Sequence, residues 1–485
     1  MKDRRFDAYL TVYLSLVFTI VLSLILALVE GAAIGALRAQ SEIVADLGMD
    51  SAFAEYNREI LNQYELFFVD TSYGDEYGGV GELREHVKGY IEYNTSSDKE
   101  INVTGSSYLK LETQHLEIED VSYATDEDCN VWKAQAIEYM KNIYGADLVS
   151  TVIDNVKITN ENQLLERNIK EEIKNKKDEF EEALSKKEIV EYDSESEDGY
   201  SYKKLTDKFE YLTGEGILSI VMPGDKEISG KYLESNQYLS HRMNTGKVNK
   251  GVGVHNKENT PSGIMDEIIY NEYLMKMYGN YDNEKTEGML AYQIEYILFG
   301  KDNDTSNLRL CAEKLFALRS VSNYIYLSND AVKRNEVSAV SKVICTLLLA
   351  PELSTVLTNI ILGMWAMAEA ITDVKGLFSG ENVPLMKDSN DWNLSLTSLF
   401  TTDIFQKNTG TKGLCYEDYL RLLLALMDKN EKTARSLDIV EMDIRKAEGN
   451  NSFRIDRCID YMKINFGFCG ANGYEFVFSR SMCFD

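Results

Sequence analysis

The chain has 485 residues, of which 44% are hydrophobic and 27% charged, and its formal net charge is −28. This balance is that of a globular protein, and the length suffices for about two or three domains. The acidity excludes nucleic acid and anionic lipid as ligands of the main body, because binding phosphate groups requires clustered Lys and Arg.

Proline and cysteine usage favours a helical protein without a disulfide framework. Only four prolines occur, so long helices can run uninterrupted. The seven cysteines are an odd number without a CxxC pair. Cys458, Cys469 and Cys483 lie near enough in sequence for one pair to bridge, and buried free thiols are the alternative. We predict a mainly α fold with a minor β component (α+β).

A membrane anchor is predicted near the N-terminus. Residues 1–7 form a tail, and the next segment, Ala8 to Val29, has 22 residues without a charge, whereas about 20 suffice to cross a bilayer. Lys2, Arg4 and Arg5 precede it, which places the N-terminus in the cytoplasm and the bulk of the chain outside. A cleaved signal peptide is the alternative, but its apolar region is shorter, so we expect an uncleaved single-pass signal anchor.

A row of small residues runs along this helix, and past its end, at four-residue spacing. Small-xxx-small faces let membrane helices approach closely, so the row predicts helix packing against a partner. The alternative is that the hydroxyl groups satisfy their own backbone. Each four-residue step drifts about 40°, so several neighbours fit the row better than one. The row comprises Thr11, Ser15, Thr19, Ser23, Ala27, Gly31, Gly35 and Ala39.

Beyond the anchor, residues 30–70 are predicted as a stalk-like amphipathic helix. If unbroken to Phe68, the helix from Ala8 would be about 90 Å long. Residues 75–204 are predicted as an α+β region, with a small β-element near 85–125 where apolar residues alternate. Helices are expected at about 127–155 and 161–190, the second as a charged, coiled-coil-like arm, followed by an acidic linker at 191–204.

The remaining chain divides into a loop-rich segment, 205–262, and a mainly helical extracytoplasmic domain, 263–485. The apolar stretch Leu353 to Ala368 is only 16 residues long and follows Pro351, so we predict buried core helices here rather than a second membrane pass. Alternation around 455–468 and 474–484 predicts a terminal β-hairpin.

No pattern of reactive residues indicates an enzyme. The histidines, at positions 86, 115, 241 and 255, and the cysteines lack metal-ligand spacing. TGKVNKGVGV, residues 245–254, lacks the GxxxxGK[ST] pattern of a phosphate cradle. Ser107 to Lys110 matches S-x-x-K, but no SDN or KTG follows. We expect no catalytic, cofactor-binding or metal-ligating residue, no cofactor and no small-molecule substrate.

Several stretches resemble an uncharacterised membrane-anchored family of Gram-positive gut bacteria, the domain of unknown function 5702. They include RRFDAYLTVYLSLVFTIVLSLILALVEGA (4–32), residues 46–74, YQIEYILFGKDND (292–304), VPLMKDSNDWNLSL (383–396) and YEDYLRLLL (416–424). That family is similar at its N-terminus to TadE-like and TadG-like minor pilins, and it tends to accompany tight-adherence (Tad) pilus secretion genes. Those pilins usually carry a Glu early in the hydrophobic helix, whereas this chain has no charge there before Glu30.

The resemblance implies a non-enzymatic surface protein that is a minor pilin-like or assembly component of a Tad pilus. Its expected partners are the membrane, other membrane helices and pilus or secretion subunits. The alternative is a cell-surface receptor or adhesion module that the anchor merely tethers.

Overall fold

The structure is a computed structural model that describes residues 3–95, 110–143, 149–187, 194–214, 216–224, 226–234, 237–251, 261, 263–401, 412–470 and 473–484. The chain divides into two compact units. Unit 1 consists of Met1–Gln135, Gly246–Thr260 and Ile444–Asp485, and unit 2 of Ala136–Thr245 and Pro261–Asp443. Unit 1 is therefore assembled from both ends of the chain.

The helices and strands alternate unevenly along the chain. In order they are α1 (Asp3–Phe53), α2 (Arg58–Tyr64), β1 (Val69–Asp70), α3 (Val80–Thr95), β2 (Leu111–Tyr123), α4 (Asp126–Ile143), α5 (Val149–Glu161), α6 (Ile169–Ser185), α7 (Tyr202–Thr213), α8 (Ile217–Val221), α9 (Leu239–Asn244), α10 (Ile264–Met277), α11 (Gln293–Phe299), α12 (Asp304–Asn329), α13 (Ala331–Leu347), α14 (Ser354–Phe378), α15 (Tyr416–Leu426), α16 (Lys429–Arg445), β3 (Cys458–Gly470) and β4 (Glu475–Cys483). The predicted class, mainly α with a small β component, is confirmed.

The long first helix is shorter than its sequence pattern predicts. It ends at Phe53 instead of continuing to Phe68. The chain then turns, and the Asn57 side chain accepts hydrogen bonds from the backbone N–H groups of Glu59 and Ile60, which starts α2. Because an Asn cap satisfies donors that a continuous helix would bond internally, this residue favours a new helix start.

The sheet of unit 1 is antiparallel and has β3 at its centre. One edge of β3 pairs with β2, from Leu111 opposite Gly470 to Tyr123 opposite Ile459, with three register irregularities. Its other edge pairs with β4 from Tyr461 to Cys469. At the N-terminal end of β3, the same edge pairs with the short β1. The predicted C-terminal hairpin is thus confirmed as β3 and β4, but it belongs to unit 1 rather than to the helical domain predicted for 263–485.

One face of this sheet is covered by α3 and by the second half of α1. The buried side chains from α1 include Leu37, Val44 and Met49, which share one hydrophobic core with Ile464 and Phe466 of β3. Residues of one strand face reach the core at alternate positions, as Met462 to Phe468 do. The predicted amphipathic character of the outer half of α1 therefore has a structural cause.

Unit 2 is helical and is built around α12 and α14. The apolar window of α14 is 78% buried, as expected for a core helix of a soluble domain, which is the prediction made for 353–368. Gly363 of α14 lets α6 pack closely, because a Cβ at this position would overlap Ile173. The helix packing of unit 2 thus depends on a small residue at one crossing.

The charged helix predicted at 161–190 corresponds to α6, which spans Ile169–Ser185 and follows α5, Val149–Glu161. The apolar stripe of α6 is buried within unit 2. A narrow stripe on a charged helix is compatible with either arrangement, so sequence periodicity does not distinguish docking from a free arm.

The loop-rich segment predicted at 205–262 begins with a helix, α7. Ser201 caps it, and Leu205, Phe209 and Leu212 form a buried face at helical spacing. The high density of Gly and polar residues further along conceals this short pattern.

All seven cysteines are free thiols, so no pair bridges among Cys458, Cys469 and Cys483.

Candidate functional site

The first half of α1 is an apolar surface that the described part of the chain leaves uncovered. Every residue from Tyr9 to Val29 is exposed. Within the helix from Tyr9 to Phe53, the most apolar window has a mean hydropathy of 2.8, and none of this window is buried. An exposed helix of this length and composition could serve as a membrane anchor.

The predicted packing row lies entirely on exposed helix. Thr11, Ser15, Thr19, Ser23, Ala27, Gly31, Gly35 and Ala39 are all exposed. A Cβ added at Gly31 or Gly35 would meet no atom within 4 Å. The row is therefore open along its length to a neighbouring helix.

The hydroxyl groups of three residues in the row bond within their own helix. Ser15 Oγ donates to Val12 O at 2.8 Å, and Thr19 Oγ1 donates to Ser15 O at 2.7 Å. Ser23 Oγ donates to Ile20 O at 2.8 Å. For these residues the hydroxyl groups thus satisfy their own backbone, which was the alternative explanation of the row. Helix packing at these positions would therefore depend on the small size of the side chains rather than on unsatisfied hydroxyl groups.

The opposite side of α1 joins the C-terminal hairpin where the apolar stretch ends. Tyr474 Oη, in the turn of the hairpin, donates to Glu30 Oε1 at 2.8 Å. Gly470 lies against Leu37, whose Cδ1 would be 2.8 Å from a Cβ at that glycine. The β3–β4 turn thus lies beside the first charged residue after the apolar stretch.

The described histidines have separate local settings. His86 Nδ1 lies 3.1 Å from the Glu55 carboxylate, and His115 Nε2 lies 3.1 Å from Glu117. His241 is in α9, and His255 lies outside the described residues. Among the described residues no three His, Cys, Asp or Glu side chains are grouped to hold a metal ion.

The two loose sequence motifs have simple local settings. Gly251, in the glycine-rich segment, donates its N–H to Asp126 Oδ1 at 2.9 Å. Residues 252–254 of that segment lie outside the described chain. Of the S-x-x-K match, only Lys110 is described, immediately before β2.

A fully buried ion network ties α12 to α14 in unit 2. Arg319 Nε donates to Asp373 Oδ2 at 3.0 Å, and Lys387 forms ion pairs with Asp373 and Glu369. Burial acts to raise the pKa of Asp373, but the charges of Lys387 and Arg319 hold that pKa below its usual value. The network balances two cations with two carboxylates, as burial of charge requires.

This network also fixes the segment that follows α14. Arg319 Nη1 donates to Pro384 O at 2.8 Å and to Leu385 O at 2.7 Å. Glu369 accepts the backbone N–H groups of Asn393 and Leu394 at 3.0 and 2.9 Å. An irregular segment is thereby held in the core by side chains that satisfy its backbone.

A second buried polar cluster surrounds Glu295 of α11. Glu295 Oε1 accepts Tyr416 Oη at 2.7 Å and the Tyr281 N–H at 2.9 Å, and Cys311 Sγ lies 3.3 Å from Tyr416 Oη. Burial raises the pKa of Glu295 to about 7, and the hydrogen bonds from Tyr416 and Tyr281 offset this effect only in part. The carboxyl therefore changes its protonation state near neutral pH.

Sequence reasoning missed both clusters. Their members are far apart in sequence, and with 27% charged residues no single pair stood out. An Arg and a Lys that each fall near apolar helices are normally assigned to solvent. The only local signal was that Glu369 and Asp373 interrupt the otherwise apolar pattern of α14 at a four-residue interval.

Residues 195–470, more than half of the chain, match the model of a family of unknown function, DUF5702. This chain belongs to DUF5702. The DUF5702 match includes every residue of both buried polar clusters and all of β3, whereas α1 precedes it. A search of curated proteins and a search of solved structures each gave no match.

Proposed function

We propose that this protein is a non-enzymatic, membrane-anchored component of a Tad-type pilus, either a minor pilin-like subunit or an assembly factor. In this proposal the first half of α1 spans the membrane with its N-terminus in the cytoplasm, and units 1 and 2 are extracytoplasmic. Lys2, Arg4 and Arg5 before the apolar stretch support that orientation. The resemblance of the N-terminal region to TadE-like and TadG-like pilins supports the pilus system.

The observation that carries the proposal is that α1 is covered along its second part and open along the part before it. Leu37, Val44 and Met49 belong to the core of unit 1. Gly31 and Gly35, which precede this covered part, are open. A helix that merely tethers a domain needs no small-residue surface continuing from the apolar stretch into the folded domain.

Small side chains allow helices to pack closely in a membrane. Lipid tails are as apolar as the helix, so helices associate through close van der Waals contact rather than through the hydrophobic effect. Since the row drifts around the helix, different parts of it would face different neighbours. This arrangement suits an assembly of several helices better than a single parallel pair.

The test replaces Gly31 and Gly35 together by Leu in the full-length protein in its native host. Leu fills the open surface while keeping the helix apolar, so we expect the number of surface pili to fall at unchanged amounts of membrane-bound protein. Pili are counted by electron microscopy, and the protein is quantified in isolated membranes.

The matched control replaces Ala32 and Ala36 by Leu. These residues are also exposed on α1 and have the same spacing, but they lie about 100° around the helix from the row. The control should retain pili. Normal piliation in the Gly31 and Gly35 variant would rule out the row as an assembly surface. Equal loss of pili in both variants would show that the effect does not depend on the row.

A further inference from the structure

Three arginines line an open cleft in unit 1, in a protein that is otherwise strongly acidic. The cleft has a volume of about 820 Å³. It is formed by the turn after β1 and by the segment from the end of α16 to the start of β3. The lining residues used below are Tyr77, Asn451, Arg445, Arg454 and Arg457.

The two segments that form the cleft are joined by close backbone contacts. A Cβ at Gly74 would lie 3.3 Å from Gly449 O, and both glycines have left-handed backbones, with φ of +85° and +88°. Ser452 Oγ donates to Gly74 O at 2.9 Å. Glycine adopts this conformation without strain, so the sequence allows the two turns to meet here.

The guanidinium groups are held in place by the protein itself. Arg457 donates from Nη1 to Asp75 O at 3.1 Å and from Nη2 to Glu76 O at 2.7 Å. Arg454 donates from Nε and Nη2 to the carboxylate of Asp456 at 3.0 and 2.6 Å. A guanidinium has five N–H donors, so these bonds orient both groups and leave further donors for a ligand.

The third arginine is oriented in a similar way. Arg445 Nε donates to Phe453 O at 2.8 Å, within the same turn that leads to β3. Because the three guanidinium groups are already oriented, a ligand that binds them loses less side-chain entropy than it would with mobile arginines.

Three guanidinium groups and three carboxylates lie at the cleft. Glu76 is the acidic residue among the lining, Asp456 lies behind Arg454, and the charge of Arg457 acts on Asp70. The Lys247 carbonyl accepts from Arg454 Nη2 at 3.4 Å, so the basic segment with Lys247 and Lys250, both exposed, runs beside the cleft. In a chain with a net charge of −28, such a cluster marks a place where an anion is favoured.

We propose that this cleft binds an organic phosphate, with the phosphate group held by Arg445, Arg454 and Arg457. A phosphate group presents more acceptor oxygens and more charge than one carboxylate, so it can engage several guanidinium forks at once. The cleft is much larger than a bare phosphate ion, which leaves room for an organic part. Tyr77, 88% exposed at the rim, offers a ring against which that part can pack.

The binding test uses the full-length protein in a phosphate-free maltoside detergent. Isothermal titration calorimetry measures glycerol 3-phosphate, inorganic phosphate and succinate at low salt. We expect glycerol 3-phosphate to bind at least tenfold more tightly than succinate and more tightly than inorganic phosphate, and its affinity to fall as salt rises.

The decisive variant is Asn451→Glu. Asn451 is an exposed lining residue, so the change places a negative charge in the cleft without removing an arginine or a core contact. It should weaken glycerol 3-phosphate binding at least tenfold. Asn94→Glu, at an exposed position of α3 in the same unit, adds the same charge elsewhere and should leave the affinity within twofold.

Circular dichroism and thermal unfolding verify that both variants fold. Succinate binding as tight as glycerol 3-phosphate would overturn the phosphate assignment, and equal affinity for inorganic phosphate would overturn the organic part. Undetectable binding by the folded wild-type protein at millimolar ligand, or unchanged binding by Asn451→Glu, would overturn the site itself. None of these results depends on the pilus proposal, which concerns α1.

Discussion

Glu295 should make the stability of unit 2 depend on pH near neutrality. Burial raises the pKa of this carboxyl to about 7, against an ordinary value of 4.5 in the unfolded chain. The folded state therefore binds the proton more tightly, and its stabilising contribution is complete below the unfolded pKa and is lost as pH rises through the folded one. A shift of this size corresponds to about 3 kcal/mol for a fully buried group.

The perturbation is Glu295→Gln, which removes the ionisation and keeps an acceptor for Tyr416 Oη and the Tyr281 N–H. The other oxygen, Glu295 Oε2, has no hydrogen-bond partner among the described residues, so the amide of the variant adds a cost that is independent of pH. The difference in unfolding free energy between variant and wild type should nevertheless change by about 2 to 3 kcal/mol between pH 5 and pH 8, in favour of the variant.

Urea unfolding of the full-length protein in detergent, followed by tryptophan fluorescence, measures this difference. Two of the three tryptophans, Trp365 and Trp392, lie in unit 2 and report its unfolding. Glu313→Gln, at an exposed position of α12, removes the same charge and is the control. If the stability curves of the Glu295 variant and the wild type stay parallel from pH 5 to pH 8, the burial argument for Glu295 fails.

Three further changes test the packing. Lys387→Met should destabilise unit 2 by about 3 to 5 kcal/mol, because it leaves the buried carboxylate of Glu369 without its cation. Urea unfolding measures this loss. Gly363→Ala should lower the melting temperature through overlap with Ile173, and Ile173→Ala in the same chain should restore part of the loss, whereas additive losses would contradict the close approach. Asn57→Ala should cost about 1 kcal/mol through loss of the α2 cap, with no effect expected if α1 continued through this residue.

The elements that the sequence predicts correctly are those whose pattern is local. The uncharged stretch of α1 is a single run of neighbouring residues, and the alternation in β3 and β4 extends over about a dozen residues in each strand. A helix and two strands form at these places, as predicted. The end of α1 is less predictable, since a single Asn competes there against a continuing apolar pattern.

The polar clusters could not be predicted, because they depend on contacts between distant residues. Arg319 meets Asp373 across 54 positions, and Glu295 meets Tyr416 across 121. Each of these residues alone has the properties of an ordinary surface charge or core aromatic. The arginine cleft has the same origin, because Tyr77 and Arg457 are brought together only when β1 pairs with β3.

The assembly of unit 1 from both chain ends has a consequence for how DUF5702 folds. The matched residues, 195–470, contain β3 without α1, β1 or β2, its partners at the N-terminal end. Since an isolated strand exposes unpaired backbone groups and an apolar face, a fragment limited to these residues should leave β3 unprotected. Hydrogen exchange of a 195–470 fragment should therefore show protection in α12 and α14 and fast exchange in 458–470. Slow exchange in 458–470 would mean that the strand finds another partner and that α1 is not required to complete the sheet.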